Sequence, residues 1–453
     1  MANTFKTIIH EGNFLSLSGN IITSFLGFAG FALLARTFPM EIFGEWVIFI
    51  AAASLIKMLR SGINNIALIR NLSGAGEEER PKIIGSSVLI ATLTTLILCA
   101  TLEALDYAFY DSIHKSGYDL FFIWYPLLAI INLPLITSSS ILQADQKFGK
   151  EAKIKSFESI FFFVIIFLNY FLGVLSLNEL IISFLIINVF ESGICIIMGW
   201  DSFKYLFKAT RQTTRDLLEF GKYSTLTLVG TNLLRSADTF IISFSPLGTA
   251  AVALYSIPMK LTELQQVPLR SFAATAYPKL SKASIQKDRH KVTEIFYTYS
   301  GAMTYLFIGI SLFTFIFADW FVLILGGNHY LGNNPLSGHN AATITRVFSV
   351  YGMLLPIDRM TGIGLDSINK PNLNFIKVLI MALANIIGDI VAVYFFRSLT
   401  LVAVGSVFFT ILGVIIGYYF MNLELKLDFK LIFTRGLYFY RNIFSEVRRL
   451  KKS

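Results

Sequence analysis

The sequence contains little charge and few residues suited to metal binding or redox chemistry. Only 15% of its 453 residues are Asp, Glu, Lys or Arg, against roughly 25% in soluble domains. Its two cysteines, Cys99 and Cys195, lie in apolar segments, so the sequence predicts neither a disulfide framework nor a zinc site. The five histidines lack metal-ligand spacing, and there is no GxxxxGK[ST] phosphate-binding loop. The sequence therefore predicts neither a soluble metalloenzyme nor an ATPase.

The sequence is instead rich in hydrophobic residues, which form long apolar segments. Hydrophobic residues make up 55% of the chain, 43 residues are Phe, and the mean hydropathy is +0.64. Twelve apolar segments each approach the roughly 20 residues that a helix needs to cross a bilayer. The first is too long for a cleavable signal peptide. We therefore predict an all-α polytopic membrane protein whose twelve transmembrane helices span residues 15–36, 43–69, 83–103, 120–143, 157–177, 180–200, 222–244, 248–276, 295–317, 342–368, 373–396 and 399–421.

The distribution of basic residues predicts the orientation. Seventeen Lys and Arg residues lie in loops 70–82, 144–156, 201–222 and 279–291, whereas the alternating loops contain only Arg36, Lys115 and Arg397. Short loops rich in Lys and Arg stay in the cytoplasm, so both termini are predicted to be cytoplasmic. The formal charge of +9 needs no nucleic acid. The basic and aromatic C-terminal tail fits either a segment on an anionic inner leaflet or a plain topogenic tail.

The two halves of the chain repeat each other. LRSGINNIALIRNLS begins at Leu59 and LRSFAATAYPKLS at Leu269, and a Leu-Pro pair at 133–134 returns at 355–356. These matches occur in the same order and predict two pseudo-symmetric six-helix lobes around a central cavity, an architecture suited to alternating access. The predicted parts are an N-terminal lobe at 1–200, a cytoplasmic linker at 201–222, a C-terminal lobe at 223–421 and a basic cytoplasmic tail at 422–453.

Charged residues interrupt the apolar segments, as in LLPIDRMTG at 354–362. Those near segment ends, such as Glu158 and Lys377, are expected to snorkel to the interface. Nine central charges facing lipid would cost on the order of 20–30 kcal/mol, more than the roughly 5–15 kcal/mol stability of an ordinary fold. They must therefore face one another or a wet cavity. These nine are Lys57, Arg60, Glu191, Arg235, Asp238, Lys260, Glu263, Asp358 and Arg359.

Some of these charges fit purely structural pairs. Arg235 with Asp238, and Lys260 with Glu263, are three residues apart on one helical face. Asp358 and Arg359 point about 100° apart and are expected to have separate partners. A membrane enzyme would be expected to use carboxylates or arginines on a large external loop, but the predicted outer loops are modest and contain no paired carboxylates beyond Asp106 and Asp111. We therefore predict that the chain is not an enzyme. GVIIG at 413–417 fits a helix-packing motif.

Three stretches carry a resemblance to a known group of proteins. GNFLSLSGNIITSFLGFAGFALLARTFPMEIFGEW, LIKMLRSGINNIALIRNLS and ALYSIPMKLTELQQVPLRSFAATAYPKLS resemble the polysaccharide-export flippases of the multidrug/oligosaccharidyl-lipid/polysaccharide (MOP) exporter superfamily, in particular the Wzx-type O-antigen flippases. The resemblance covers essentially the whole chain. It implies a cationic cavity that includes Lys57, Arg60 and Lys260. The charge argument alone adds Arg235, Arg346 and Arg359 as candidate substrate-binding residues.

The resemblance implies an undecaprenyl-pyrophosphate-linked oligosaccharide as substrate, moved across a bacterial inner membrane. Expected partners are this lipid-linked substrate, membrane lipids and polysaccharide polymerase or assembly proteins. Basic side chains can bind a diphosphate through charge-assisted hydrogen bonds, and a hydrated path for the glycan can use amide side chains. The asparagines in question are Asn20, Asn64, Asn65, Asn188 and Asn232.

No bound cofactor is expected, but the energy source is left open between a H⁺ gradient, a Na⁺ gradient and the membrane potential. Intramembrane carboxylates fit either ion-coupling sites or salt-bridge partners. The candidates are Glu191, Asp238, Glu263, Asp358 and Asp389. Two other functions remain open at this point. One is a cation-coupled multidrug exporter of the same superfamily, and the other is a scaffold in a polysaccharide-assembly complex.

Overall fold

The computed structural model describes residues 12–73, 75–332 and 339–450, and no residue in these ranges lies in a β-strand. Short 3₁₀ helices occur at Phe203–Lys208 and Asn328–Tyr330, and a π-helical turn at Val391–Phe395. The α-helices are α1 (Gly12–Thr37), α2 (Met40–Ser73), α3 (Arg80–Ala108), α4 (Tyr110–Lys115), α5 (Asp119–Ile131), α6 (Leu133–Ala144), α7 (Phe148–Leu172), α8 (Leu177–Ile197), α9 (Arg211–Ser243), α10 (Gly248–Ile285), α11 (Arg289–Ile316), α12 (Ala318–Gly326), α13 (Ala341–Ser367), α14 (Pro371–Ile390), α15 (Leu399–Leu425) and α16 (Phe429–Leu450).

Each predicted apolar segment coincides with a helix, and the fourth coincides with the pair α5 and α6, which is bent by 51°. The all-α polytopic class is thus confirmed. By length and composition, seven helices in the described ranges can cross a membrane, or eight if the bent pair is one span. Helices α9, α10 and α13 carry several charged residues each, which lowers their hydropathy. The count of twelve spans and the cytoplasmic termini therefore stay predictions.

The two Leu-Pro pairs of the internal repeat have different structural effects. At Leu133–Pro134 the helix breaks, because proline lacks the N–H that the preceding turn needs. At Leu355–Pro356 the proline lies inside α13, which continues to Ser367. The sequence repeat is therefore only partly matched by local structure, and the broken turn in the first half needs other hydrogen-bond donors.

The helices form two compact units. Unit 1 contains residues 1–244 and 248–253, and unit 2 contains residues 245–247 and 254–453. Packing thus divides the chain near the α9–α10 turn. The predicted division at 201–222 rests on the internal repeat and stays a prediction. The core of unit 2 is built from buried side chains of α11, α13 and α15, including Phe296, Leu365 and Met421.

The predicted C-terminal tail is a helix docked within unit 2. A Cβ on Gly301 of α11 would lie 2.0 Å from the carbonyl oxygen of Ile432, so only glycine permits this approach of α16. The hydroxyl of Tyr440 donates to the carbonyl oxygen of Ala302 at 2.8 Å. One side of α16 is therefore buried against α11. On its exposed side lie basic residues, among them Arg441, as a surface facing anionic headgroups would require.

Candidate functional site

The LLPIDRMTG stretch forms part of a buried ion pair in unit 2. The ammonium group of Lys377, on α14, donates to Asp358 Oδ1 at 2.8 Å and to the Asp358 carbonyl oxygen at 3.0 Å. Lys377 is only 2% exposed. The prediction that it snorkels to the interface is therefore wrong, because its charge is neutralised inside the bundle. Asp358 forms a salt bridge in this structure, and its role in ion coupling stays a prediction.

The GVIIG motif of α15 makes room for this pair. A Cβ on Gly413 would lie 2.2 Å from the sulfur of Met381 and 3.0 Å from Asp358 Oδ1. A Cβ on Gly417 would lie 2.4 Å from Thr361 Oγ1 and 3.0 Å from Lys377 Cδ. The two glycines thus let α15 approach α13 and α14 closely. The motif therefore allows close helix packing around the enclosed side chain of Lys377.

Arg359, the neighbour of Asp358, lies apart from this pair. It is exposed and forms no hydrogen bond or ion pair with any residue that the structure describes. Successive residues on an α-helix point about 100° apart, and the expectation that Asp358 has its own partner is confirmed. Arg359 is thus an exposed cation of α13.

The other predicted cations of unit 2 have carboxylate partners. Lys260 and Glu263 form the expected pair on one face of α10, at 3.0 Å. Arg346, near the start of α13, pairs with Asp319 at the start of α12. Both pairs are about one-third exposed or more. Each cation therefore has a competing partner that an anionic substrate would have to displace.

Asp389 is the most deeply buried of the candidate carboxylates. It is 0% exposed, and Asn385 Nδ2 donates to its Oδ2 at 2.8 Å. The π-helical turn at 391–395 follows directly, a local distortion often found at functional sites. Within the described ranges, no group of three or more His, Cys, Asp or Glu could hold a metal ion.

In unit 1, Arg60 stabilises the broken turn between α5 and α6. Its Nη2 donates to the carbonyl oxygen of Ala129 at 2.7 Å, its Nη1 to Asn132 Oδ1 at 3.1 Å and its Nε to Thr95 Oγ1 at 3.2 Å. The hydroxyl of Ser192 donates to the Ile131 carbonyl oxygen at 2.7 Å. Two side chains thus satisfy carbonyl groups at the break. Arg60 is only 6% exposed, so its guanidinium supports the fold in this conformation.

Two contacts define how α2 and α9 pack in unit 1. A Cβ on Gly62 would lie 2.5 Å from Thr225 Cα, and Asn232 Nδ2 donates to Ser54 Oγ at 3.1 Å. Residue numbers rise along α2 as they fall along α9, so the two helices are antiparallel. The close approach at Gly62 places their backbones almost in contact, and long side chains beside this seam must point away from it.

Lys57 and Arg235 lie beside this seam and are exposed. Each follows a contact residue, Ser54 or Asn232, by three positions and so lies about 60° around its helix. In an antiparallel pair this places both cations on the same side of the seam, about 8 Å apart along it. Their side chains are long enough to converge on one anion. The remaining predicted residue of α9, Asp238, is buried.

The acidic residues of unit 1 lie on α7 and α8. Glu191, on α8, is 3% exposed, and neither of its carboxyl oxygens has a hydrogen-bond partner among the described residues. Glu158 lies on α7, which packs against α8. Glu158 was expected to snorkel, and its position relative to Glu191 follows only from the packing of α7 on α8. No pattern in the sequence links the two.

Two of the asparagines proposed for the glycan path form hydrogen bonds within the described part of the chain. Asn188 donates to the Phe184 carbonyl oxygen of its own helix at 3.0 Å, and Asn232 holds the α2–α9 seam. The side chains of Asn20, Asn64 and Asn65 lie outside the described part. The glycan-binding role of these residues stays a prediction.

These observations define a polytopic α-helical membrane protein whose helices contain both buried, partnered charges and exposed cations. The chain belongs to the polysaccharide biosynthesis protein family, whose sequence profile matches residues 9–284. No curated protein sequence matches it. The resemblance drawn from the sequence is thereby confirmed at the level of family and fold.

Solved structures share this fold. The chain is 18% identical to the lipid II flippase MurJ in an inward closed conformation, with a TM-score of 0.68 over 95% of this chain and 92% of that one. It is 15% identical to an inward-facing multidrug resistance MATE transporter of the MOP superfamily, with a TM-score of 0.68 over 91% and 98% of the two chains. A MOP superfamily transporter from Pyrococcus furiosus gives a TM-score of 0.51 at 16% identity, over 92% and 93%. At these identities the likeness shows the fold.

Proposed function

We propose that the chain is a flippase that moves an undecaprenyl-pyrophosphate-linked oligosaccharide from the cytoplasmic to the outer leaflet of a bacterial inner membrane. Membership of the polysaccharide biosynthesis protein family and the shared fold with a lipid II flippase support this substrate class. The proposal includes twelve spans with cytoplasmic termini and transport by alternating access. The substrate is an O-antigen or a similar surface-polysaccharide repeat unit.

One observation carries the proposal. Lys57 and Arg235 are exposed on the same side of the α2–α9 seam. A lysine facing lipid costs roughly 2.5–3.5 kcal/mol, so the exposed position of Lys57 needs an anionic ligand or water. A diphosphate carries its negative charge on closely spaced oxygens, and two converging cations about 8 Å apart along the helices can bind both phosphates.

The remaining candidate cations differ in their contacts, and we propose a different role for each kind. Arg359 is exposed without a partner in the described chain and can contact the substrate directly. Lys260 and Arg346 are ion-paired and would act by exchanging a carboxylate for the substrate. Arg60 holds the broken turn of α5 and α6 in place. Arg60 thus supports the fold in this conformation, and its binding of pyrophosphate stays part of the proposal.

The transport cycle needs an energy source, and no bound cofactor is proposed. Asp389 with Asn385 is the unit 2 candidate for coupling to H⁺ or Na⁺, and the membrane potential acting on an anionic substrate is the alternative. Polysaccharide polymerase and assembly proteins are proposed as partners because they would consume the flipped repeat unit.

The second candidate function is a cation-coupled multidrug exporter. The shared fold with a MATE transporter and the buried carboxylate of Asp389 favour it. A drug exporter for organic cations needs carboxylates in its binding pocket, whereas a pyrophosphate flippase needs cations. The two functions therefore depend on residues of opposite charge.

Complementation in the native host distinguishes the two. The gene is deleted and replaced by the wild type, Lys57→Ala, Arg235→Ala or Arg359→Ala, with Arg215→Ala as the control because Arg215 forms an exposed ion pair with Glu219. At equal membrane levels, the three test variants should reduce surface polysaccharide about tenfold, as loss of a charge-assisted hydrogen bond does, and accumulate lipid-linked precursor. Normal polysaccharide in all three, with drug resistance lost in Asp389→Asn, would establish the exporter instead.

A further inference from the structure

A cavity lies between α10, α11 and α16 of unit 2. It measures about 270 Å³, several times the roughly 30 Å³ that a water molecule occupies in the liquid. None of the residues that line it belongs to the ion pairs of unit 2 described above. All three helices contribute to its wall, so the cavity exists because α16 is docked on α11.

The cavity wall combines apolar side chains with a few hydroxyl groups. Phe272 of α10, Ala302 of α11 and Phe439 of α16 supply apolar surface, and Ser271 and Thr298 supply hydroxyl groups. Burying a charged group against such a wall is costly. An alkyl chain with an ester group next to it fits the wall, because the hydroxyl groups can donate to the ester oxygens.

A lysine lies one turn beyond the cavity along α10. Thr275 lines the cavity, and Lys279 follows it by four residues, which places both on one helical face about 6 Å apart along the helix. The Lys279 ammonium donates to the hydroxyl of Tyr299 at 2.6 Å and lies 5.2 Å from the centre of its ring. Because Tyr299 also lines the cavity, this contact holds the cation at the cavity edge. Two further donors of the ammonium remain for an anion.

The cavity and Lys279 lie at different depths along the apolar segments. The lining residues of α10 and α11 fall within segments 248–276 and 295–317, whereas Lys279 lies three residues beyond the first segment. Helix α11 is among the helices long and apolar enough to cross a membrane, and such apolar segments match the hydrocarbon core. The cavity is therefore at the level of the lipid chains, and the cation is at the level of the headgroups.

The exposed charges beside the cavity are mainly basic. Lys282 lies on the same face of α10 as Lys279, and Arg435 lies one turn before the phenylalanine of α16 that lines the cavity; all three are exposed. Residues 429–442 of α16 include no acid. Glu294 is an exposed acid one turn before the first cavity residue of α11. The cations outnumber it, so the cavity edge attracts anions.

We propose that this cavity binds one anionic phospholipid, with an acyl chain against Phe272 and Phe439 and the phosphate on Lys279. A zwitterionic phospholipid fits less well, because its headgroup cation would meet the basic edge. A free phosphate ion would leave the apolar wall without a partner. The bound lipid would contact α10, α11 and α16 together and so hold α16 in its docked position. This site does not rest on the proposed flippase function.

The test is native mass spectrometry of the delipidated full chain in detergent, with phosphatidylglycerol or phosphatidylcholine of the same acyl chains added. The wild type should bind one phosphatidylglycerol about tenfold more tightly than phosphatidylcholine, as one charge-assisted hydrogen bond predicts. Lys279→Met should remove this preference and keep the thermal unfolding midpoint. The matched control is Lys204→Met, since the exposed Lys204 ammonium lies 5.1 Å from the centre of the Tyr205 ring. It should keep the preference.

Two further variants fill the cavity. Ser271→Phe places a ring in it from α10, and Thr298→Leu narrows it from α11. Both side chains are at least partly exposed, so the thermal unfolding midpoint should change little while phosphatidylglycerol binding falls. Unchanged binding in whichever of these variants folds would overturn the site. The use of two variants on different helices keeps the test valid if one of them is unstable.

Three other outcomes would also overturn the proposal. Equal binding of the two lipids, or equal loss in Lys279→Met and Lys204→Met, would show that the basic surface attracts anions without a defined site. Displacement of phosphatidylglycerol by excess inorganic phosphate would show a site for a free anion. Displacement by equimolar undecaprenyl phosphate would place the cavity on the path of the transported lipid. A chain that failed the complementation test but passed this one would keep the phospholipid site and lose the flippase assignment.

Discussion

Removing the cation of the Lys377–Asp358 pair should destabilise unit 2 strongly. Lys377→Met keeps most of the volume of the lysine stem but leaves Asp358 without the ammonium group that now lies 2.8 Å from its Oδ1. Breaking a fully buried ion pair in this way costs about 3–5 kcal/mol. The Asp358 side chain is 21% exposed, so water recovers part of the loss and we expect about 2–3 kcal/mol.

The assay is thermal unfolding of the detergent-solubilised chain, followed by tryptophan fluorescence. For a cooperative unit of about 200 residues, 1 kcal/mol shifts the midpoint by roughly 2–4 °C, so Lys377→Met should lower it by roughly 4–12 °C. The second variant is Lys377→Met with Asp358→Asn, which removes both charges. It should recover more than half of the loss, because the penalty comes from the unpaired carboxylate and not from the missing bond.

The control is Arg215→Ala, which removes an exposed ion pair of the kind that contributes at most about 1 kcal/mol. The reasoning would be refuted if Lys377→Met shifted the midpoint no more than this control does. It would also be refuted if the double variant were less stable than the single one, since the pair would then not be the source of the penalty.

Two further predictions concern unit 1. Arg60→Ala should lower both the unfolding midpoint and the amount of protein in the membrane, because the Ala129 carbonyl loses its donor. Lys57→Ala should change neither quantity. Equal behaviour of the two variants would contradict the structural role of Arg60. Hydrogen bonds from Lys147 and Arg80 hold the pKa of Asp145 below its ordinary value although burial opposes ionisation. Its stabilising effect is therefore complete above about pH 4 and is lost as the pH falls through the lowered pKa. The difference in midpoint between wild type and Asp145→Asn should shrink on acidification, and a constant difference would show that the ion pairs contribute nothing.

Helix positions were predictable because the bilayer imposes a length and a composition on every span. Each apolar segment was found in a helix, although α7 begins at Phe148 rather than near residue 157, because KEAKIKSFES continues the helix with charged residues. The divergence of Asp358 and Arg359 was also predictable, since it follows from 100° per residue. Neither inference needed tertiary contacts.

The partners of the buried charges could not be predicted in the same way. Lys377 lies six positions after Pro371 near a helix start, which is typical of a snorkelling lysine. It is buried because two glycines on α15, a helix that follows in the chain, leave space for its stem. Helix packing decides which cation is paired and which remains exposed. Hydropathy depends only on sequence and cannot predict these partners.

The division between partnered and exposed cations changes how transport mutants have to be interpreted. Loss of surface polysaccharide in Arg60→Ala would be expected for a binding residue and equally for a residue that supports the broken turn between α5 and α6. Lys57, exposed beside the α2–α9 seam, has no described hydrogen bond to lose. A transport defect in Lys57→Ala at unchanged stability therefore reports on the substrate, whereas the same defect in Arg60→Ala reports on the substrate only if the fold is intact. Variants of the exposed cations Lys57 and Arg359 therefore test the proposed anionic substrate more directly than variants of Arg60 do.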